Sequence, residues 1–196
     1  CSSTNRYFII HKPYDMVSQF VSSHDVRLLG DLDFDFPEGT HAVGRLDKNS
    51  EGLLILTTNK KVTRQLFQST IPHKRTYFVQ TKNAVSEDAI NQLTTGVSIK
   101  IKGDQTYVTT PFEVSKINDE EIIKPFLKSD KNIYGPWLSI TLTEGKYHQV
   151  RKMIAACRHR CKRLGLVSNE EIWVGDLAAG CVREIEEEEL YLKIKI

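Results

Sequence analysis

Apolar residues along this chain fall into short alternating or continuous runs, with helical spacing in a few places. Tyr7-Phe8-Ile9-Ile10 predicts a strand that stops at the Lys12-Pro13 step, because the residue before a proline is held extended. Leu53–Leu56 is continuously apolar, the pattern of a strand covered on both faces. Asn59 predicts the N-cap of a helix carrying Val62, Leu66 and Phe67. Thr76–Thr81 predicts another strand. Ser86 predicts the cap of a helix running through Ile90 and Leu93, with Gly96 as its stop.

From Val97 onward the pattern is strand-rich. Trp137–Leu142 alternates, placing Leu138, Ile140 and Leu142 on one face before Gly145 breaks the run. Val150, Met153, Ile154 and Cys157 recur at i, i+3, i+4 and i+7, one face of a helix. That helix is expected to continue far enough to hold Cys161 one turn beyond Cys157. Leu190, Leu192, Ile194 and Ile196 alternate and predict a closing strand. Strands and helices mixed without strict alternation predict an α+β fold with a largely antiparallel sheet. Lys116–Asn132, polar and Lys-rich, is expected to be a mobile linker or an insertion, and residues 1–6 a disordered leader to a domain spanning 7–196.

Composition narrows the class. The 196 residues are 40% hydrophobic and 27% charged, ordinary for a globular protein. No apolar run approaches the roughly 18 residues needed to span a bilayer, so a membrane partner is not expected. Four cysteines are too few for a disulfide scaffold, and Cys157 and Cys161 lack two further ligands at metal-site spacing. No metal or small-molecule cofactor is expected. The start has no charged and apolar signal segment. The expected setting is the cytoplasm or an organelle matrix, and the expected state a monomer.

The net charge is +2, but its distribution is uneven. Lys146–Arg163 holds seven of the 27 Lys/Arg and no acid, so the remainder carries 20 cations against 25 acids. Five of those acids lie in Glu184–Glu189. A basic helix on an otherwise acidic chain directs one face toward a polyanion.

Two segments carry the candidate chemistry. Gly44-Arg45-Leu46-Asp47-Lys48-Asn49-Ser50 places a charged loop directly before the buried Leu53–Leu56 strand, and a rigid strand can hold such a loop against a cleft. Asp47 stands between Arg45 and Lys48, which favour its ionised form. Glu144-Gly145-Lys146-Tyr147-His148-Gln149-Val150-Arg151-Lys152-Met153 turns from a strand into an amphipathic helix whose start suits anions, and Tyr147 and His148 supply rings able to stack on bases.

These two segments, with Lys12-Pro13-Tyr14-Asp15 before them and Arg75-Thr76-Tyr77-Phe78-Val79 between them, resemble the RsuA/RluE-type pseudouridine synthases. The resemblance runs over residues 7–185. It implies a catalytic fold with a mixed, mostly antiparallel central sheet, flanking helices and a cleft between two subdomains. It implies a cofactor-independent isomerase that converts a uridine of structured RNA to pseudouridine. Resemblance to the RluE-like branch implies a large-subunit ribosomal RNA target. Asp47 matches the catalytic aspartate, acting as nucleophile or base, Arg151 its ion-pair partner, and Tyr77 the tyrosine that stacks on the target base. Arg45 matches the arginine that fills the gap left by a flipped nucleotide. Lys146, His148, Gln149 and Lys152 match positions facing RNA or the cleft, and Lys12 is a further RNA-contact candidate. Relatives carry an arginine after the leucine that matches Leu164; here it is missing, with Arg163 or Lys162 as replacement. Two other classes compete: a non-catalytic RNA-binding module on the same fold, and a hydrolase using Asp47 as base. The hydrolase lacks a second paired carboxylate or a Ser/His/Asp set.

Overall fold

Tyr7–Lys12 is buried at every position and forms strand β1, ending where Pro13 removes the next ladder donor. The computed structural model describes residues 4–69, 72–127 and 134–196, with the Phe67 side chain excepted. The remaining strands are β2 (His41–Val43), β3 (Glu51–Thr57), β4 (Arg75–Thr81), β5 (Ser98–Lys102), β6 (Gln105–Val108) and β7 (Glu113–Ile117). They are followed by β8 (Trp137–Leu142), β9 (Cys161–Asn169), β10 (Ile172–Trp173) and β11 (Val182–Ile185). The helices are α1 (Lys61–Phe67), α2 (Glu87–Thr95), α3 (Glu120–Ile123), α4 (Gln149–Ala156) and α5 (Glu187–Ile194).

The main sheet has the order β11-β1-β3-β9-β4-β8-β7, with β2 added to β3 and β10 to β9; β5 and β6 form a separate hairpin. Among the described residues every pairing is antiparallel except β3 with β9. The α+β class with a mostly antiparallel sheet is therefore what the chain adopts. The single parallel pair depends on two glycines. Gly52 has φ +112°, and a Cβ there would run into the Leu166 backbone. A Cβ on Gly165, which pairs with Glu51, would run into the Phe126 ring. Only residues without a side chain permit so close an approach.

Among the described residues two hydrophobic cores pack along the sheet. One gathers β1, β3, Met16, Leu29, Val62, Leu190 and Ile194; the other gathers α2, α4, β8, Val79 and Leu164. Tyr77 packs against both. Continuous burial of β3 matches its apolar run. The Oγ of Ser86 accepts the Ala89 N–H, and Gly96 ends α2 with φ +121°. The cap position of α1 is Lys60, one residue past the expected Asn59, whose Oδ1 still accepts the Lys61 N–H.

Four expectations are corrected. Residues 187–194 form a helix instead of a closing strand: Leu190 and Ile194, one turn apart, are buried, while Leu192 is 77% exposed. The glutamates of its first turn suit the positive end of a helix dipole, a preference that outweighs the alternating pattern. Cys161 does not share a helix with Cys157, since α4 ends at Ala156 and Arg158 turns the chain with φ 61° into β9. For the same reason the basic stretch to Arg163 spans a helix, a turn and a strand. The part of Lys116–Asn132 up to Leu127 is packed and so is not a mobile linker, which leaves its reading as an insertion untouched: Ile123 at the end of α3, with Phe126 and Leu127 just past it, joins the first core, and Phe126 stacks on His11 with ring centroids 4.9 Å apart. Residues 128–132 of that segment, and 1–3 of the expected leader, lie outside the described residues. Arg6, at the leader's end, is held by Glu184 at 2.8 Å.

Candidate active site

The loop joining β2 to β3 turns at Gly44, whose φ is +81°, and is fastened on both sides of Asp47. Ser18 Oγ accepts the Leu46 N–H at 3.0 Å and donates to the Leu46 carbonyl at 2.8 Å. Lys48 pairs with Asp15 at 3.3 Å, and the Asp15 N–H donates to the Lys48 carbonyl. The Ser50 N–H closes the turn on the Asp47 carbonyl at 3.0 Å. A loop pinned at so many points holds its side chains in place before any ligand arrives.

Asp47 is half-buried, and the Nε2 of His148 lies 3.2 Å from its Oδ1. The two expected segments do meet, but not through the expected pair. Among the described residues no ion pair joins Arg151 to Asp47. Arg151 Nη2 instead donates to the Asn49 carbonyl at 2.7 Å and reaches Ser50 Oγ at 3.4 Å, so α4 grips the loop backbone just past Asp47.

Asp47, Arg45, Ser50, Arg75, Tyr77 and His148 line a cavity of about 210 Å³ in which Asp47 is the sole acid among the described residues. A larger cavity of about 400 Å³ adjoins it, sharing Arg45, Arg75 and Tyr77. Tyr77 comes from β4, opposite Ile140 and Leu166. Burial pushes its hydroxyl up, Arg75 opposes this, and the charge of Asp47 adds to it. Tyr77 therefore stays neutral beside the carboxylate. Arg45 is exposed on the rim of both cavities.

Two of the expected RNA contacts point inward. Lys12 is fully buried, its Nζ donating to the Met16 carbonyl at 2.6 Å and the Pro13 carbonyl at 3.0 Å. Burial pushes its ammonium down to about 8, against the pull of Glu51 and Asp47. Its long stem continues the apolar face of β1, which is why it turns in. Gln149 is also buried, its Nε2 donating to Glu144 Oε1 at 2.9 Å and its Oε1 accepting the Lys146 N–H at 3.0 Å. Glu144 in turn accepts from Tyr107 and from the Thr110 N–H. Burial works against the Glu144 charge, yet these hydrogen bonds hold its carboxyl below the usual range. Through Glu144 the β5–β6 hairpin is bolted to the helix-bearing wall of the cleft.

The remaining candidates face outward as cation–aromatic pairs. Lys146 Nζ lies 4.8 Å from the Tyr107 ring, and Lys152 Nζ 5.1 Å from the exposed Tyr147 ring. Sequence reasoning missed Ser18, the contacts of Glu144 within its candidate segment, and the Glu51–Arg163 pair described below. A serine 28 positions from its partner leaves no local pattern. Arg163 did carry a trace, as a candidate replacement for an expected arginine.

A profile of the RNA pseudouridylate synthase family matches residues 6–156. A protein of Vibrio parahaemolyticus named ribosomal large subunit pseudouridine synthase E is 34% identical over 184 residues, covering 92% of this chain and 74% of the relative. The protein of the same name from Vibrio vulnificus is 33% identical over 182 residues, covering 92% and 75%. A solved pseudouridylate synthase structure superposes with a TM-score of 0.75 at 24% identity, covering 97% of this chain and 74% of the other.

Proposed function

We propose that this chain, which belongs to the RNA pseudouridylate synthase family of RNA isomerases, converts a specific uridine of large-subunit ribosomal RNA to pseudouridine, with Asp47 as nucleophile or base. The names of the two Vibrio relatives support the ribosomal target. The observation that carries the reading of Asp47 is its place as the sole acid, among the described residues, of a cavity walled by Tyr77.

The net reaction is an isomerisation. The bond from C1′ to N1 of the uracil breaks, the base turns, and a bond from C1′ to C5 forms. C5 loses its proton and N1 gains one, so no redox partner is consumed. An ionised carboxylate serves either as nucleophile or as base in this sequence. Tyr77, kept neutral by burial, offers a flat face for the base and a hydroxyl for proton transfer. A uridine inside folded RNA must leave its stack to reach Asp47, at a cost of a few kcal/mol. Arg45 fills the vacated space in this reading, and its exposure beside the cavity supports the role. Arg151 acts on the loop backbone, holding the segment that presents Asp47.

The test is pseudouridine mapping in ribosomal RNA from cells with the protein, without it, and with Asp47→Asn. One uridine of the large subunit should be converted only by the wild type, while the variant still binds the RNA. Conversion by Asp47→Asn would remove Asp47 from its role. An unchanged map in cells lacking the protein would remove the ribosomal target.

A further inference from the structure

His148 stands at the N-terminal edge of α4 with φ 51° and ψ 35°. Residues with a Cβ take this left-handed backbone against steric resistance, and such positions persist where the surroundings enforce them, often at functional sites. The ring gives nothing back to the helix, since it makes no capping hydrogen bond. It lies instead between two other groups. One face stacks on Tyr147, with centroids 3.9 Å apart and planes 15° apart, and Nε2 sits 3.2 Å from Asp47 Oδ1.

The carboxylate needs such a neighbour. Rotation about its terminal bond is soft, and Asp47 is 41% exposed. Arg151 is engaged by Asn49 and Ser50. No hydrogen bond to either carboxylate oxygen of Asp47 is found among the described residues, and the 3.2 Å approach of His148 Nε2 to Oδ1 is a contact between charged or polar groups. We propose that His148 is a positioning residue for Asp47: its Nε2 fixes the plane of the carboxylate through Oδ1 and leaves Oδ2 to the nucleotide, with Tyr147 stacking to keep the ring in place. The left-handed backbone is what aims the ring at the loop. This assignment rests on the reading of Asp47 as the reactive carboxylate.

The strain provides a test with an unusual sign. Glycine accepts the same backbone freely, so His148→Gly should melt no lower than the wild type. It should nonetheless lose about 10- to 100-fold in kcat, the scale expected for a misplaced reactive group, with KM for RNA little changed. Imidazole added to the variant should recover part of the rate, because glycine leaves an opening where a partly exposed ring had been. Turnover is read as tritium released from C5-labelled ribosomal RNA taken from cells lacking the protein. A melting temperature that falls together with activity would make His148 structural. A raised KM at unchanged kcat would make it an RNA contact. Either result overturns the proposal, as does an unaltered kcat. A second arm needs no activity: the ring 15N shifts of His148 in the free protein should move on Asp47→Asn, and unmoved shifts would overturn the pair. If the wild type releases no tritium, the functional reading fails, while the shift and melting arms still decide whether His148 holds Asp47.

Discussion

Arg163 Nη2 lies 2.5 Å from Oε1 of Glu51, and its Nε lies 3.2 Å from Oε2. Glu51 is the first residue after the loop that carries Asp47, and both partners are largely withdrawn from solvent, with side chains 19% and 8% exposed. The pair joins β9 to β3 at their parallel contact, where Glu51 pairs with Gly165. It is thus one of the fastenings that set the loop against the sheet.

Removing one half of a buried ion pair leaves an uncompensated charge. Arg163→Ala is expected to destabilise the fold by about 3–5 kcal/mol. The double change Arg163→Met with Glu51→Gln should recover part of that loss, because neither charge is then stranded. Denaturant midpoints of the two variants check this, and equal midpoints would contradict it.

Lys12 predicts an alkaline signature. Its folded value is lowered to about 8 against an ordinary 10.5. Below pH 8 both folded and unfolded chains hold the proton, so the residue adds no slope. Between 8 and 10.5 the unfolded chain holds more of it, so stability gains about 1 kcal/mol per pH unit from this group as pH rises. Lys12→Met lacks the titration. The stability difference between wild type and variant should therefore move in favour of the wild type between pH 8 and pH 10, as read by urea unfolding at several pH values. A pH-independent difference would exclude a shifted lysine.

Arg151→Ala should harm activity more than stability. The guanidinium holds the Asn49 carbonyl and Ser50, a charged contact worth about 1–2 kcal/mol in a partly exposed setting. The loop it releases is the one presenting Asp47, and small misplacements there cost about 100-fold in rate. Parallel melting and turnover measurements test the split. Activity loss no greater than the stability loss predicts would argue against it.

Arg158, Arg160 and Lys162 are exposed on the turn after α4 and the start of β9. Replacing all three with glutamine should weaken RNA binding and flatten its salt dependence, by up to about two to three units of log–log slope if each meets a phosphate. Filter binding across a salt series checks this. An unchanged slope would move the RNA to another face.

Most of the architecture was legible locally. Proline after β1, the continuous apolar run of β3, and the Ser86 and Gly96 caps of α2 act through neighbours in the chain, and each produced the expected element. The α5 segment was misread because Leu190, Leu192, Ile194 and Ile196 satisfy a strand period. The choice of helix depended on glutamates at its start and on a core that takes Leu190 and Ile194 and leaves Leu192 in solvent. The packing of Phe126 over Gly165 was hidden for a related reason: a polar, Lys-rich composition says little about the few apolar residues within it.

The sequence by itself determined the class of fold, the family and the pair of segments that build the cleft, because strand and helix periods, caps and contiguous motifs are local properties. Which groups touch across that cleft was decided only by the tertiary structure. Asp47 meets His148, Arg151 grips the Asn49 carbonyl, Lys12 turns inward, and Glu51 finds Arg163 more than a hundred residues away. Those contacts depend on the register of β3 against β9 and on the left-handed turn at His148, and neither follows from the spacing of residues along the chain.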